Sequence, residues 1–122
     1  MYDRGERVGE QLQQQISLLL REVKDPGLKG LLTVTDLKLA RDRKSAVVYY
    51  SVLGSAEQKK STAEALERIV GFLRHQLRER LTLRSIPKLL FQFDPTPERA
   101  QRIEEVLRTI ERERGPEGDS GA

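Results

Sequence analysis

Apolar residues recur every three or four positions through the first segment. Val8, Leu12, Ile16, Leu19, Leu20 and Val23 line one helical face, while Glu10, Gln14 and Arg21 fall elsewhere. The spacing predicts a helix over about residues 5–23. Asp25-Pro26-Gly27 ends it, because proline disfavours helical backbone in the residue before it and glycine admits positive φ. Leu31 to Leu39 is rich in β-formers, but its alternation changes phase between Val34 and Leu37, which predicts a bulge or an edge position. After a charged turn over 38–44, Ala46 to Leu53 is almost continuously apolar, as expected of a central strand covered on both faces.

Gly54 and Ser55 close that strand. Two capping boxes then compete for the start of a second helix, Ser55 with Gln58 and Ser61 with Glu64. The stripe of that helix is Leu66, Ile69, Val70, Leu73, Leu77 and Leu81, with Gly71 in its middle as the site of a kink or a close backbone approach. Leu89, Phe91 and Phe93 alternate with Leu90 and Gln92 in a third strand entered at Ile86-Pro87. Thr96 and Pro97 suit the cap and first position of a last helix, about 97–114, whose apolar face is Ile103, Val106, Leu107 and Ile110. Residues 1–114 thus read as one domain, and 115–122, with nothing to bury, as a disordered tail.

The order is α-β-β-α-β-α. The first two strands pair antiparallel, and a strand, a long helix and another strand form a right-handed crossover between parallel neighbours. The fold class is therefore α+β, a three-stranded mixed sheet with the second strand central, helices on one face and the other face partly exposed.

Composition narrows the function. The 122 residues hold 22 Lys+Arg and 19 Asp+Glu, a net +3, which excludes both a strongly basic nucleic-acid tail and an acidic disordered chain. The absence of cysteine removes disulfides, thiol nucleophiles and cysteine metal sites. No apolar run approaches the roughly 20 residues of a membrane span, and the first residues lack a secretory core, so a soluble cytoplasmic protein is expected. His75 is the only histidine and is expected at a surface. Glu104-Glu105 lies on a solvated helix, and Ser51, Ser55 and Ser61 have no nucleophile elbow or phosphate loop around them. No catalytic residues, metal, cofactor or enzyme activity are expected.

Partitioned along the chain, the mild charge becomes polarised. Residues 72–93 set Arg74, Arg78, Arg80, Arg84 and Lys88 against Glu79, a balance of +4. Residues 38–44 set Lys38, Arg41, Arg43 and Lys44 against Asp42, a balance of +3, and the remainder carries −4. Arginine forks suit phosphate oxygens, so these segments are candidate RNA contacts. The bland alternatives are carboxylate pairing for the first segment and, for the turn, charges that blunt a sheet edge. The last helix is balanced and pairs internally. Tyr49 and Tyr50 lie on opposite faces of the central strand, where aromatics either stack on bases or pack the core; core packing is the stronger reading for these and for Phe91 and Phe93.

Several stretches in this order resemble the ribosome-binding factor A family. They are Arg7-Val8, Asp25-Pro26, Leu32-Thr33-Val34-Thr35 with Leu37, Asp42 before Ala46 to Val52, Gly71 before Leu73-Arg74, and Leu83-Arg84-Ser85-Ile86-Pro87-Lys88-Leu89-Leu90-Phe91 with Asp94. The match runs from about Arg7 to about Leu107. The resemblance implies a type II KH-like fold and a monomeric assembly factor that binds free or immature 30S subunits and 16S rRNA. It also implies help in maturing that RNA near its 5′ end, a role in cold adaptation, and an assembly GTPase as a further partner left open. In place of the KH Gly-x-x-Gly loop the family has an Ala-x-Gly kink; here Ile69 stands at the alanine position, giving Ile69-Val70-Gly71. Arg74, Arg78, Arg80, Arg84 and Lys88 are the first RNA-binding candidates, Arg41, Arg43 and Lys44 the second, and Gly71 the helix kink. The competing function is a protein-interaction module using the exposed sheet face or the last helix.

Overall fold

The computed structural model describes residues 4–120, with side chains through 113. The elements are α1 (Arg4–Glu22), β1 (Leu31–Leu39), β2 (Ser45–Leu53), α2 (Ala56–Arg80), β3 (Lys88–Phe93) and α3 (Thr96–Ser120). The sheet order is β1-β2-β3, antiparallel between the first pair and parallel between the second. Order, pairing and the central place of β2 are as the sequence predicts. So is the bulge, since the register shifts between Val34 and Asp36 and restores Leu37 to the face that Leu32 and Val34 share.

One face of the sheet carries the core. Ala46, Val48, Tyr50 and Val52 of β2 and Leu89 of β3 meet Leu12, Ile16 and Leu19 of α1 and Leu66, Ile69, Leu73 and Leu77 of α2. Tyr50 packs edge-on against Phe91 and Phe93, with ring centroids 6.3 and 5.7 Å away, so core packing is right for those three aromatics. Burial, with Glu67 nearby, pushes the Tyr50 phenol up. The opposite face bears Lys38, Val47, Tyr49, Leu90 and Gln92 and is partly open, with Leu90 46% exposed.

The structure decides between the two capping boxes. Ser55 accepts from the Gln58 amide and Gln58 reaches back to the Ser55 amide, so α2 starts there. The hydroxyls expected at the other start strap the α1–β1 linker instead. Ser61 Oγ donates to Gly27 O at 2.8 Å, and Thr62 Oγ1 donates to Lys29 O and accepts from Lys29 N. That linker ends at Gly30, whose φ of 70° and whose closeness to Leu53 O leave no room for a Cβ.

Three expectations are corrected. At the start of α3 it is the Asp94 carboxylate, not Thr96, that accepts a helix amide, from Thr96 N at 2.9 Å; its other oxygen takes Thr35 Oγ1 from β1 at 2.8 Å. The helix runs to Ser120, past the end expected at about 114 and into the segment expected to be disordered. Residues 121 and 122 lie outside the described residues. Finally, the apolar stripe of α3 meets no core. Every residue from Arg99 to Glu113 is exposed, with Ile103, Val106, Leu107 and Ile110 between 41% and 61%, because α1 and α2 already cover the inner sheet face. The root of α3 is held by Lys59 of α2, whose Nζ lies 2.6 Å from Glu98 Oε1.

Candidate nucleic-acid interface

The parallel β2/β3 register brings the two basic segments together. Ser45 is opposite Lys88, and the Lys88 amide donates to Lys44 O at 2.9 Å. The turn holding Arg41, Arg43 and Lys44 therefore abuts the α2–β3 linker holding Arg84. The turn is closed by Arg43 N donating to Ala40 O and Ala40 N donating to Ser45 O, with Arg43 itself at φ 60°, a left-handed conformation that glycine or asparagine usually fills. Asp42 Oδ1 accepts from Lys44 N, which turns the acid inward on its own loop. Arg41 and Arg43 also border a cleft of about 680 Å³ with Arg4 and Gln13 of α1 and with Asp36 and Leu37.

The predicted residues separate into two groups. Arg41, Arg43, Lys44, Arg78, Arg84 and Lys88 are exposed and make no ion pair among the described residues. Arg74 and Arg80 are engaged within the molecule. Arg74 donates from Nη2 to Ile86 O at 2.8 Å and from Nε to Pro87 O at 3.1 Å, because the linker carbonyls cross its helix face half-buried. It clamps the segment that carries Arg84 and Lys88. Arg80 Nη2 lies 2.7 Å from Glu22 Oε2 and ties α2 to the end of α1.

Gly71 takes no part in packing. α2 continues through it, and a Cβ there would meet no atom within 4 Å, so the expected close approach within this chain is absent. Phe72 beside it is 48% exposed and escaped the sequence reading, which followed only the core stripe. Arg4 escaped it too, because only the fold brings the start of α1 to the turn. His75 stands at the surface with Glu79 Oε1 at 4.0 Å. Among the described residues no group of three or more acids and histidines is placed to hold a metal ion, and no helix is long and apolar enough to cross a membrane.

The family model of ribosome-binding factor A matches residues 4–107, most of the chain and all of its basic end. The chain belongs to the ribosome-binding factor A family. Curated relatives of that name include one from Geobacter metallireducens, 40% identical over 116 residues, which are 94% of this chain and 98% of the relative. Another, from Caldanaerobacter subterraneus subsp. tengcongensis, is 34% identical over 116 residues, or 94% and 95% of the two chains. Among solved structures, the crystal structure of ribosome-binding factor A from Thermus thermophilus superposes with a TM-score of 0.65 at 26% identity, over 73% of this chain and 93% of that one. A homology model of the Thermus thermophilus factor, as fitted into a cryo-EM map of a 30S complex with that factor, gives a TM-score of 0.61 at 27% identity, over the same shares.

Proposed function

We propose that this protein is a non-catalytic ribosome-binding factor of small-subunit assembly that holds 16S rRNA through the basic end of its sheet. The observation carrying this reading is the contact of Lys88 N with Lys44 O, which merges two separate basic segments into one cluster of unpaired cations. The relatives' name and the 30S complex of the Thermus neighbour support it. Arg84, Lys88, Arg41, Arg43, Lys44 and Arg78 contact phosphates, which supply affinity, while the rigid sheet selects the RNA shape. A protein that binds one RNA conformation better than another shifts the population toward it without bond chemistry. In this reading one copy acts in the cytoplasm on immature or free 30S particles, assists maturation near the 5′ end of 16S rRNA and matters most in the cold.

The test is co-sedimentation with free 30S subunits across a salt series, comparing wild type with Arg84→Glu/Lys88→Glu. Wild-type binding falls steeply with salt, and the variant loses about one to two units of the log–log slope, since each neutralised phosphate contributes ~0.7–0.9. A folded variant that binds with an unchanged slope sinks the proposal. One observation favours a second reading, a protein-docking role for α3, whose four apolar side chains are exposed on one face. Binding lost on Ile103→Ser/Leu107→Ser, with the salt slope unchanged, supports that role.

A further inference from the structure

We infer that the uncovered sheet face is a stacking platform, centred on Tyr49, for unpaired bases of a single-stranded RNA segment whose phosphates run toward Lys38 and Lys88. This rests on RNA binding by the basic end and gives that function a second surface.

Strand register lays the outer side chains in rows across the sheet. Nearest the basic end are Ser45 and Lys88; the next row is Lys38, Val47 and Leu90; then come Asp36, Tyr49 and Gln92. A path from the cluster of free cations thus crosses an apolar row and reaches an aromatic ring, about 3.3 Å of rise per residue along β2. The helices α1 and α2 pack on the other face, leaving Lys38, Leu90 and Gln92 exposed and Val47 and Tyr49 half-buried.

Each row offers what a splayed nucleotide needs. Lys38 Nζ lies 5.9 Å from the Tyr49 ring centroid, so the ring already holds a cation that can move to a phosphate when a base takes its place. The Gln92 amide, opposite Tyr49 in the register, spends one donor on Phe93 O at 3.4 Å and keeps its second donor and its oxygen for a base edge. Val47 and Leu90 form an apolar bed for a neighbouring base. Asp36 is the one acid in these rows, and its Oδ1 is occupied by the Leu37 amide at 2.8 Å. Cations around an aromatic and aliphatic centre suit an anionic strand better than an acidic-and-apolar protein surface. A duplex does not fit, because its bases are stacked on each other and cannot reach a sheet face.

Fluorescence anisotropy of a labelled ten-nucleotide oligoadenylate tests the platform, with wild type, Tyr49→Phe, Tyr49→Leu, Tyr49→Ala and Arg84→Glu/Lys88→Glu. Tyr49→Phe keeps wild-type affinity. Tyr49→Ala and Tyr49→Leu, which stays apolar but loses the ring, weaken binding roughly tenfold or more, as loss of base stacking does, with the salt slope unchanged. If Tyr49→Leu binds like wild type while the basic variant does not, the platform is wrong and the basic end stands. If neither variant changes 30S or oligonucleotide binding, the proposed function falls with it. Tyr49→Leu that keeps oligonucleotide binding but loses 30S binding assigns the face to a ribosomal protein and overturns the inference.

Discussion

Replacing Arg74 with methionine keeps the aliphatic stem against α2 and removes two hydrogen bonds, to Ile86 O at 2.8 Å and Pro87 O at 3.1 Å. Hydrogen bonds from a charged donor contribute roughly 1.5–3 kcal/mol each when broken one-sidedly, and water can reach these half-buried carbonyls, so the pair together is worth about 2–3 kcal/mol. For a domain of this size that is a fall in Tm of roughly 8–12 °C. The loss also frees the linker that presents Arg84 and Lys88, so affinity for 30S subunits falls. The number of phosphates neutralised does not, because the Arg74 guanidinium faces carbonyls. The assay pairs thermal melts with 30S binding over a salt series: a lower Tm and weaker binding with an unchanged log–log slope are expected. An unchanged Tm with a slope reduced by about one unit would refute the clamp and make Arg74 a phosphate contact.

Gly71→Ala, filling open space on a continuous helix, stabilises the protein by about 0.5–1 kcal/mol in urea titration; loss of 30S binding by that stabilised variant would place a partner against Gly71. Ser51, 3% exposed on β2 with no hydrogen-bond partner for Oγ among the described residues, tolerates Ser51→Ala with a gain of up to about 1 kcal/mol, and a clear loss shows that the hydroxyl is satisfied. Asp94, through the Thr96 amide first and then the Thr96 and Thr35 hydroxyls, and Asp25, chiefly through the Gly27 amide, are both held below their ordinary 3.8. Their stabilisation is therefore complete above about pH 4 and is lost as pH falls through the lower folded values. Asp94→Asn is less stable than wild type at neutral pH, and the two curves converge in acid; parallel curves would count against the Asp94 contacts.

What was legible in the sequence was whatever depends on near neighbours. The period of Leu12, Ile16 and Leu19 and the phase slip at Val34 to Leu37 report burial directly, whereas the continuous apolar run of β2, read as covered on both faces, overstates it, because Val47 and Tyr49 stand half-buried on the open face. The Ser55 and Ser61 boxes looked alike because local spacing cannot show that the Ser61 hydroxyl is taken by Gly27 O, 34 positions away. Charge was legible as segments and illegible as contacts. Arg74 and Arg78 are equivalent in sequence, four apart on one helix, yet one clamps a linker and the other has no ion pair among the described residues, a difference set by where residues 86–87 cross. The apolar stripe of α3 was visible, but its lack of a partner depends on α1 and α2 having filled the only buried sheet face.

The register that places Ser45 opposite Lys88 also has a kinetic meaning. Parallel pairing across a whole helix is a distant contact, costly in loop-closure entropy and slow compared with a hairpin or a helix turn. The β1–β2 hairpin can carry Arg41, Arg43 and Lys44 early, but those charges meet Arg84 and Lys88 only after the crossover has closed. Under the proposed function, strong RNA affinity arrives only with completion of the sheet, and a nascent or half-folded chain, its positive charge dispersed, competes poorly for rRNA with the finished molecules around it.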